Sequence, residues 1–253
     1  MTGRLLLVPS PLDFGIAGEP PDLREVLPLG VIREAARLTH WLAENAKSAR
    51  ALLKRVAAIE PLACPLQSVH IAELPRANKG GAGQASSSAL AALLAPARED
   101  HDLGLISEAG LPAIADPGAA IVAAAHDAGI AVVPLPGASS LLLALAASGL
   151  GGQHFAFVGY LPVQADARAA RIRELEAASR RGAQTQVMIE TPYRNAALLG
   201  ALLAQLQPAT MLSVSVGLTL ASESTRSAPV GRWRVDARGV PADVPAVFAW
   251  LAR

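Results

Sequence analysis

Two segments of the sequence carry the residue types that hold small ligands. Ser107–Gly118 contains two glycines, two prolines and two acids, and reads Ser-Glu-Ala-Gly-Leu-Pro-Ala-Ile-Ala-Asp-Pro-Gly. Pro134–Ser140 turns at Pro136-Gly137 and ends in two serines, whose hydroxyls and backbone N–H groups would lie at a helix N-terminus. Glycine lets a backbone approach a ligand closely, and free N–H groups at a helix start bind polar ligands. On composition alone, the two loops suit ligand binding or simple helix capping equally well.

The elements around these loops predict where the loops lie. Leu103–Ser107 and Ile130–Pro134 are short aliphatic runs that read as buried strands, and Ala119–Ala128 and Ser139–Ser148 read as helices. Strand, helix, strand and helix in succession indicate a parallel sheet. Ligands of such sheets bind beyond the carboxyl ends of the strands. Both loops therefore fall where a site is expected.

The N-terminal part predicts further elements of the same sheet. Leu5–Val8 reads as the first strand, and Val69–Leu74 as another. Helical spacing of apolar residues runs from Gly30 to about Ala43, and a second helix is expected over Ser48–Ala58. Asn78–Ser88 is rich in glycine and serine, so this segment could clamp a substrate or act as a plain linker.

After Gly151-Gly152 the hydrophobic pattern alternates more, as in a mixed sheet with one partly covered face. The sequence therefore predicts two α/β domains, residues 1–135 with a mostly parallel sheet and residues 136–253 with a mixed sheet. The expected C-terminal elements are strands at Phe155–Tyr160, Val187–Glu190, Met211–Leu218 and Val244–Leu251, helices at Asp166–Arg180 and Ala196–Gln205, and a hairpin arm at Val230–Val235.

Composition limits the class of protein. With 52% hydrophobic residues and a formal net charge of +1, the chain can bury a sizeable core and is not an overall basic protein that coats nucleic acid. Cys64 is the single cysteine, which predicts a reducing compartment. The uncharged stretch Ala128–Gln153 is broken by Pro134 and Pro136, so it reads as a buried strand, turn and helix and not as a membrane span. We expect a cytoplasmic protein without membrane or DNA partners.

Several kinds of chemistry lack their motifs. The sequence has no Walker phosphate loop, no His-Glu-x-x-His, no Cys-x-x-Cys and no Gly-x-Ser-x-Gly. The five histidines are scattered along the chain and read as surface or capping residues, so no metal site is predicted.

Taken together, the sequence resembles the tetrapyrrole methylase superfamily, the class III S-adenosylmethionine-dependent methyltransferases. It is most similar to the branch of ribosomal RNA small subunit methyltransferase I, which methylates a ribose 2′-hydroxyl of 16S RNA. The resemblance holds in order and spacing from about Leu103 to the C-terminus. The matching blocks are Ile106–Pro112 with Asp116–Gly118, Ala128–Gly137, Ser148–Leu150, Phe155–Pro162, Glu190–Arg194, Leu218-Thr219 and Glu223.

The resemblance implies two α/β domains with S-adenosyl-L-methionine in the cleft between them, and a homodimer. Carried onto this chain, it implies cofactor contacts from both halves of the sequence. From the first loop these are Glu108, Ala109, Gly110, Leu111 and Ile114; from the rest they are Ser139, Ser140, Tyr160, Glu190, Gly217, Leu218 and Thr219.

The N-terminal part departs from that branch near the expected acceptor. Where the branch has Pro-Thr-Pro-Ile-Gly-Asn-Leu, this chain has Pro9-Ser10-Pro11-Leu12-Asp13-Phe14-Gly15, and Glu-Asp-Thr-Arg becomes Glu44-Asn45-Ala46-Lys47. Methyl transfer to a hydroxyl benefits from a general base. Glu44 is our candidate base, oriented by Asn45, although a carboxylate paired with Lys47 or Arg50 on a solvated helix end explains it equally well.

Three functions stay open from the sequence. The first is an RNA ribose 2′-O-methyltransferase, whose substrate phosphates could meet the arginines of the Asp166–Arg181 segment or the basic residues between Lys47 and Arg55; a solvated charged face also explains them. The second is a methyltransferase for a tetrapyrrole or another small acidic molecule. The third is a cofactor-binding protein that has lost its acceptor site.

Overall fold

The computed structural model describes residues 2–13, 15–16, 20–75, 86–236 and 239–253, and the chain folds into two compact units. Unit 1 comprises Met1–Phe14 and Glu19–Ala138, and unit 2 comprises Gly15–Gly18 and Ser139–Arg253. The division falls three residues after the boundary expected at Leu135–Pro136. Most of the glycine-rich Asn78–Ser88 segment lies outside the described residues.

Unit 1 is built on a five-stranded sheet in which every neighbouring pair is parallel, as the sequence predicts. The strand order is β3-β2-β4-β1-β5. The strands are β1 (Leu5–Leu7), β2 (His40–Ala43), β3 (His70–Glu73), β4 (Leu103–Ile106) and β5 (Val132–Pro134). The helices are α1 (Leu23–Val26), α2 (Leu29–Arg37), α3 (Ala46–Ala57), α4 (Ser87–Leu93), α5 (Ala95–Arg98) and α6 (Ala119–Asp127).

Strand β2 corrects the sequence analysis. A helix was expected to run from Gly30 to Ala43, but α2 ends at Arg37 and the chain re-enters the sheet at His40. Trp41, Leu42 and Ala43 are each only 1% exposed, so all three are packed on a sheet that is covered on both faces. A four-residue apolar run fits the helical and the extended period alike, and tertiary burial decides between them.

Three histidines meet at the amino end of this sheet, although they are scattered in the sequence. The ring of His40 stacks on that of His70, with centroids 4.9 Å apart, and lies 4.5 Å from that of His101. His40 and His70 are paired residues of β2 and β3, and His101 comes just before β4. The parallel register therefore creates the stack.

Unit 2 is built on a mixed sheet of order β6-β7-β10-β8-β9, as the sequence predicts. Only β6 and β7 pair in parallel. The strands are β6 (Phe155–Phe157), β7 (Thr185–Glu190), β8 (Met211–Val216), β9 (Ser224–Pro229) and β10 (Ala246–Leu251), and the helices are α7 (Ser140–Ser148), α8 (Ala165–Gly182), α9 (Asn195–Gln205) and α10 (Val230–Val235).

The hairpin arm expected at Val230–Val235 is wrong, because this segment is helix α10. Val230 and Trp233 share its buried face at helical spacing, and the Trp233 indole N–H donates to the carbonyl oxygen of Leu212 at 3.0 Å. The preceding Ser224–Pro229 forms the strand instead; its polar composition suits an edge strand that pairs only with β8.

Across the described ranges, no helix combines the length and the apolar character needed to span a bilayer.

Candidate active site

The candidate site of unit 1 begins where β1 and β4 end, and Ser10 ties these two ends together. The Ser10 N–H donates to the Gly110 carbonyl at 2.8 Å, and the Gly110 N–H donates to the Ser10 carbonyl at 3.1 Å. The Ser10 hydroxyl donates to the carbonyl of Ser107 at 2.7 Å. Gly110, an expected cofactor contact, thus already uses both backbone polar groups on Ser10.

The two glycine-and-proline bends meet at the end of β1, because β1 pairs with β4 on one side and β5 on the other. A Cβ placed on Gly110 would lie 3.6 Å from the carbonyl oxygen of Ala138. A Cβ on Gly137 would lie 2.3 Å from the Pro9 ring, so glycine is required there by backbone packing. The sheet order therefore brings together loops that are separate in the sequence.

The loop after β4 has an unusual backbone. Gly110, Ala113, Ala115 and Gly118 have φ values of 74°, 66°, 64° and 136°. The left-handed region is unfavourable for alanine, and such strain tends to persist at ligand sites that the surrounding structure holds in place. Ile114 is held between the two alanines with 50% of its surface exposed. An exposed aliphatic side chain on a strained loop suits contact with a ligand.

A cavity of ≈ 370 Å³ opens beside this loop at the carboxyl edge of the sheet. Hydroxyl, amide and charged side chains line it together with aliphatic ones. The lining residues are Ser10, Pro11, Asp13, Asn45, Lys47, Ser48, Ala51, Leu52, Arg55, Ile106, Ser107 and Glu108.

Three carboxylates interact at this edge: Glu44 after β2, and Glu108 and Asp116 after β4. Burial raises the pKa of Glu44 above its ordinary value, and the charges of Asp116 and Glu108 raise it further, while the Glu108 N–H that donates to it opposes them. Burial and the charge of Glu108 also raise the pKa of Asp116, against the effect of the Ser107 hydroxyl. Glu44 is therefore a carboxylate with enhanced basicity.

Asn45 has a structural contact of its own. It is the N-cap of α3, and its Oδ1 accepts the Lys47 N–H at 2.9 Å. This cap fixes the backbone immediately after Glu44. Glu44 therefore stands between the end of β2 and the N-cap of α3, and it is half-buried.

Sequence reasoning gave Ser48 no role and did not predict that Arg55 pairs with Asp13. The Ser48 hydroxyl donates to Glu108 Oε1 at 3.1 Å and so links α3 to the loop after β4. Arg55 donates to Asp13 Oδ2 at 2.9 Å and to the Pro21 carbonyl at 2.8 Å. Ser48 and Arg55 are seven residues apart in α3 and therefore share a face of that helix. This spacing was the sequence signal that could have identified them.

In unit 2, two expected cofactor contacts, Tyr160 after β6 and Glu190 at the end of β7, differ in solvent exposure. Tyr160 is 56% exposed, whereas Glu190 is 6% exposed. Glu190 accepts from Arg194 at 2.7 Å and from the Thr191 N–H at 2.8 Å, so its carboxylate is held by an ion pair and a backbone hydrogen bond within this loop. Ser139 is the N-cap of α7 but makes no hydrogen bond with its side chain there.

The turn after β8 contains a buried hydroxyl. Gly217 and Thr219 have φ values of 59° and 71°, and the Thr219 N–H donates to Glu223 Oε2 at 2.7 Å. Thr219 Oγ1 is buried and has no hydrogen-bond partner within the described part of the chain. Buried hydroxyls are normally paired, so the unpaired Thr219 oxygen is an exception in this turn.

Comparisons with known proteins agree with this architecture. Ribosomal RNA small subunit methyltransferase I of Mesorhizobium japonicum is 38% identical over 146 residues, which are 58% of this chain and 47% of that protein. The chain spans about half the length of the curated relatives it matches. The methyltransferase CobJ superposes over 99% of this chain and 95% of its own with a TM-score of 0.58 at 16% identity.

A uroporphyrin-III C-methyltransferase from Thermus thermophilus, complexed with S-adenyl homocysteine, superposes over 98% of this chain and 97% of its own, with a TM-score of 0.54 and 19% identity. These two structures share the fold. The sequence profile of the tetrapyrrole (corrin/porphyrin) methylases matches residues 21–232, most of the chain. With two such sheets and the strained loop after β4, the chain belongs to the tetrapyrrole methylase family.

Proposed function

We propose that the protein transfers a methyl group from S-adenosyl-L-methionine to a ribose 2′-hydroxyl of small subunit ribosomal RNA. The observation that carries the proposal is the Glu44 carboxylate, made more basic by its surroundings and adjoining Asn45 and Glu108, which line a cavity of ≈ 370 Å³. Family membership and the names of the relatives support the donor and the acceptor.

The residues present fit the donor. Thr219 Oγ1 is a buried hydroxyl without a partner in the described chain, and the loop Ser107–Gly118 holds Ile114 exposed on strained backbone. S-adenosyl-L-methionine offers polar groups for the first and an apolar surface for the second. When bound, it supplies an electrophilic methyl carbon on a sulfonium.

The chain has to align the acceptor and receive a proton. As the acceptor oxygen forms its bond to the methyl carbon, the carbon–sulfur bond breaks and the hydroxyl proton must leave. Positioning alone can contribute about 7–11 kcal/mol to such a displacement. The ionised Glu44 carboxylate would accept the proton, and the raised pKa brings its basicity closer to that of a useful base at neutral pH.

Ser48 and Glu108 would hold the base in place. The Glu108 N–H donates to Glu44, and the Glu108 side chain is fixed by Ser48 at 3.1 Å. The start of α3 and the ends of β2 and β4 thus determine where the base points.

Two other functions compete with this one. A tetrapyrrole or another small acid as acceptor would agree with the structural relatives, and a cofactor-binding protein without catalysis would agree with the altered Glu44–Lys47 segment. The higher sequence identity to the ribosomal RNA methyltransferases favours RNA over the small acid. The basic Glu44 beside an open cavity favours catalysis over binding alone.

Two measurements test the proposal in order. Calorimetry with S-adenosyl-L-methionine should show binding in the micromolar range, and absence of heat at millimolar ligand would remove the donor. Tritium transfer from labelled cofactor should then reach the RNA of small ribosomal subunits that lack this modification, with label on ribose after nuclease digestion. Binding without transfer to RNA, but with transfer to a porphyrinogen, would establish the small-acid alternative.

We include a homodimer and a cytoplasmic location in the proposal because the family resemblance and the lone Cys64 imply them. Sedimentation equilibrium at micromolar concentration tests the dimer.

A further inference from the structure

The charges of the chain are distributed unevenly between the two units. Residues 139–253 contain eleven arginines, seven acids and no lysine, whereas the whole chain has a formal net charge of only +1. Arginine binds phosphates with a planar fork of donors and is the preferred residue for nucleic-acid backbones. Unit 2 is therefore the basic part of a nearly neutral protein.

Four of these arginines lie at one end of the unit 2 sheet, where β7 and β8 begin. Arg180 is in the last turn of α8, which leads into β7, and Arg173 contacts Gln205, the last residue of α9 before β8. Arg232 and Arg234 belong to α10, which begins directly after β9. The last residue of β9 pairs with the first residue of β8, so α10 lies at the same end of the sheet. All four are exposed. We call Arg173, Arg180, Arg232 and Arg234 the arginine surface.

Neutral acceptors orient two members of this surface, Arg173 and Arg234, so their charges are not cancelled. Arg173 donates to the Gln205 side-chain oxygen at 2.6 Å. Arg234 donates to the carbonyls of Leu203 and Leu206, both at 2.7 Å. Each guanidinium has five N–H donors, so several remain for a ligand.

The acids near the arginine surface are engaged elsewhere. Glu174 pairs with Arg171 at 2.7 Å, and Asp236 pairs with Arg226 at 3.4 Å. Glu176 is buried and accepts from the Gln207 N–H at 2.8 Å and from the Thr210 hydroxyl. Among the described residues, none of the four arginines has an ion pair with an aspartate or a glutamate.

The arginine surface lies at the opposite end of the sheet from the expected cofactor loops of this unit. Glu190 ends β7 and Gly217 follows β8, whereas the arginine surface adjoins the starts of those strands. A six-residue strand spans about 20 Å. A small acceptor at the loops cannot reach the arginine surface at the same time, but a folded RNA can.

We propose that the arginine surface binds the phosphate backbone of the RNA acceptor and holds it while its ribose is methylated elsewhere on the protein. This inference rests on the proposed function, and it assigns to that function a binding surface at the end of the unit 2 sheet opposite to the expected cofactor loops of that unit. The contacts are to phosphates, so they position the RNA and do not read its sequence.

The test compares the double variant Arg173→Gln/Arg232→Gln with the control Arg171→Gln. Arg234 is left unchanged because it caps the end of α9. The probe is in vitro transcribed small subunit ribosomal RNA, titrated by fluorescence anisotropy between 50 and 200 mM KCl, roughly the range in which phosphate contacts dominate. The double variant should bind about 10-fold more weakly, and the slope of log K against log salt should become less negative by about 2.

The controls separate charge from structure. Arg171→Gln should leave the RNA affinity and the salt slope unchanged, because Arg171 is already paired with Glu174. Arg173→Lys/Arg232→Lys should recover most of the slope, since lysine keeps the charge. The double variant should retain the wild-type affinity for S-adenosyl-L-methionine.

Two outcomes would overturn the inference. The first is an unchanged salt slope in the double variant. The second is a double variant that still binds RNA but no longer binds vesicles of anionic lipid, which would assign the surface to a membrane. Failure of the proposed function is distinguishable, because wild-type protein would then bind RNA through these arginines without transferring label to it.

Discussion

Trp41 of β2 occupies the space above Gly104 of β4. The two residues are paired in neighbouring parallel strands, and a Cβ on Gly104 would lie 2.5 Å from the indole Cε3. The indole N–H donates to the Leu38 carbonyl at 3.2 Å, which fixes the ring where α2 ends. The core of unit 1 can therefore hold its largest side chain, Trp41, only because residue 104 is glycine.

This relationship predicts that Gly104→Ala destabilises the protein by about 1–3 kcal/mol, the usual cost of overpacking a core. Trp41→Leu removes the ring, so in a protein with leucine at position 41 the Gly104→Ala change should hardly alter the free energy of unfolding. Urea unfolding of the four proteins in this cycle measures the coupling. Equal costs of Gly104→Ala with tryptophan and with leucine at 41 would show that the two side chains do not compete for space.

The pair of Trp41 and Gly104 also shows where prediction of the fold from the sequence ends. Periodicity identified β1, β4 and most helices, and it gave both sheets their correct type. It failed for His40–Ala43, whose extended form is selected by the pairing of Trp41 with Gly104, a contact across 63 positions that no local window contains. It failed also at Trp233, because the hydrogen bond to Leu212 and the burial that select a helix there come from another strand.

Gly110 provides a prediction on backbone conformation. Its φ of 74° is unfavourable for a side chain, and a Cβ would lie 3.4 Å from Leu12. Gly110→Ala should therefore lower the free energy of unfolding by about 1–2 kcal/mol. Gly30→Ala is the matched control: Gly30 lies in α2 with no atom within 4 Å of its Cβ position, so alanine should stabilise by about 0.5–1 kcal/mol. Urea midpoints that move in the same direction would contradict the assigned backbone at 110.

The histidine stack predicts a pH dependence of stability. Burial lowers the pKa of His40, and the neighbouring charges of His101 and His70 lower it further, while Glu99 opposes them. The unfolded chain therefore binds a proton more readily than the folded one. The stability contributed by neutral His40 is present above its ordinary pKa, and it is lost as the pH falls through the lower folded value.

The measurement is urea unfolding at several pH values from 7.5 down to 5. His40→Phe keeps a ring in the stack and removes the titration, so its stability should fall less with decreasing pH than that of the wild type. Equal slopes for the two proteins would mean that folding does not lower the pKa of His40.

For the candidate site, the sequence predicted the loops but not the contacts. Composition singled out Ser107–Gly118 and Pro134–Ser140, and sheet order then brought them together at β1. The link from Ser48 to Glu108 spans 60 positions, and the bridge from Ser10 to Gly110 spans 100, so neither follows from motif spacing. The raised pKa of Glu44 has its first cause in burial and its next in the charges of Asp116 and Glu108, both of which follow β4, so no local window of the sequence contains it.

Glu44→Gln tests the base. Loss of the proton acceptor should lower kcat by about 10²–10⁴-fold, with the affinity for S-adenosyl-L-methionine unchanged. Glu73→Gln is the control: Glu73 ends β3, is exposed and accepts the Ala46 N–H at 2.9 Å. Its charge is not among the causes that raise the pKa of Glu44, so turnover should stay near the wild-type value. Single-turnover transfer of label measures the chemical step directly. Unchanged turnover in Glu44→Gln would eliminate Glu44 as the base.

Asp116→Asn tests how the site sets the basicity of Glu44. After burial, the charge of Asp116 is the next cause of the raised pKa of Glu44, so its removal should lower that pKa. A base must be ionised to act, and kcat/KM falls as the pH drops through its pKa. The acid limb of the pH profile should therefore move to lower pH in Asp116→Asn, with a smaller effect on the rate at the plateau, since the lower pKa also weakens the base. Asparagine preserves the shape and can still accept from the Ser107 hydroxyl, so a merely structural role would reduce the rate at every pH and leave the limb in place. A limb that moves to higher pH would reverse the sign of the interaction between the two carboxylates.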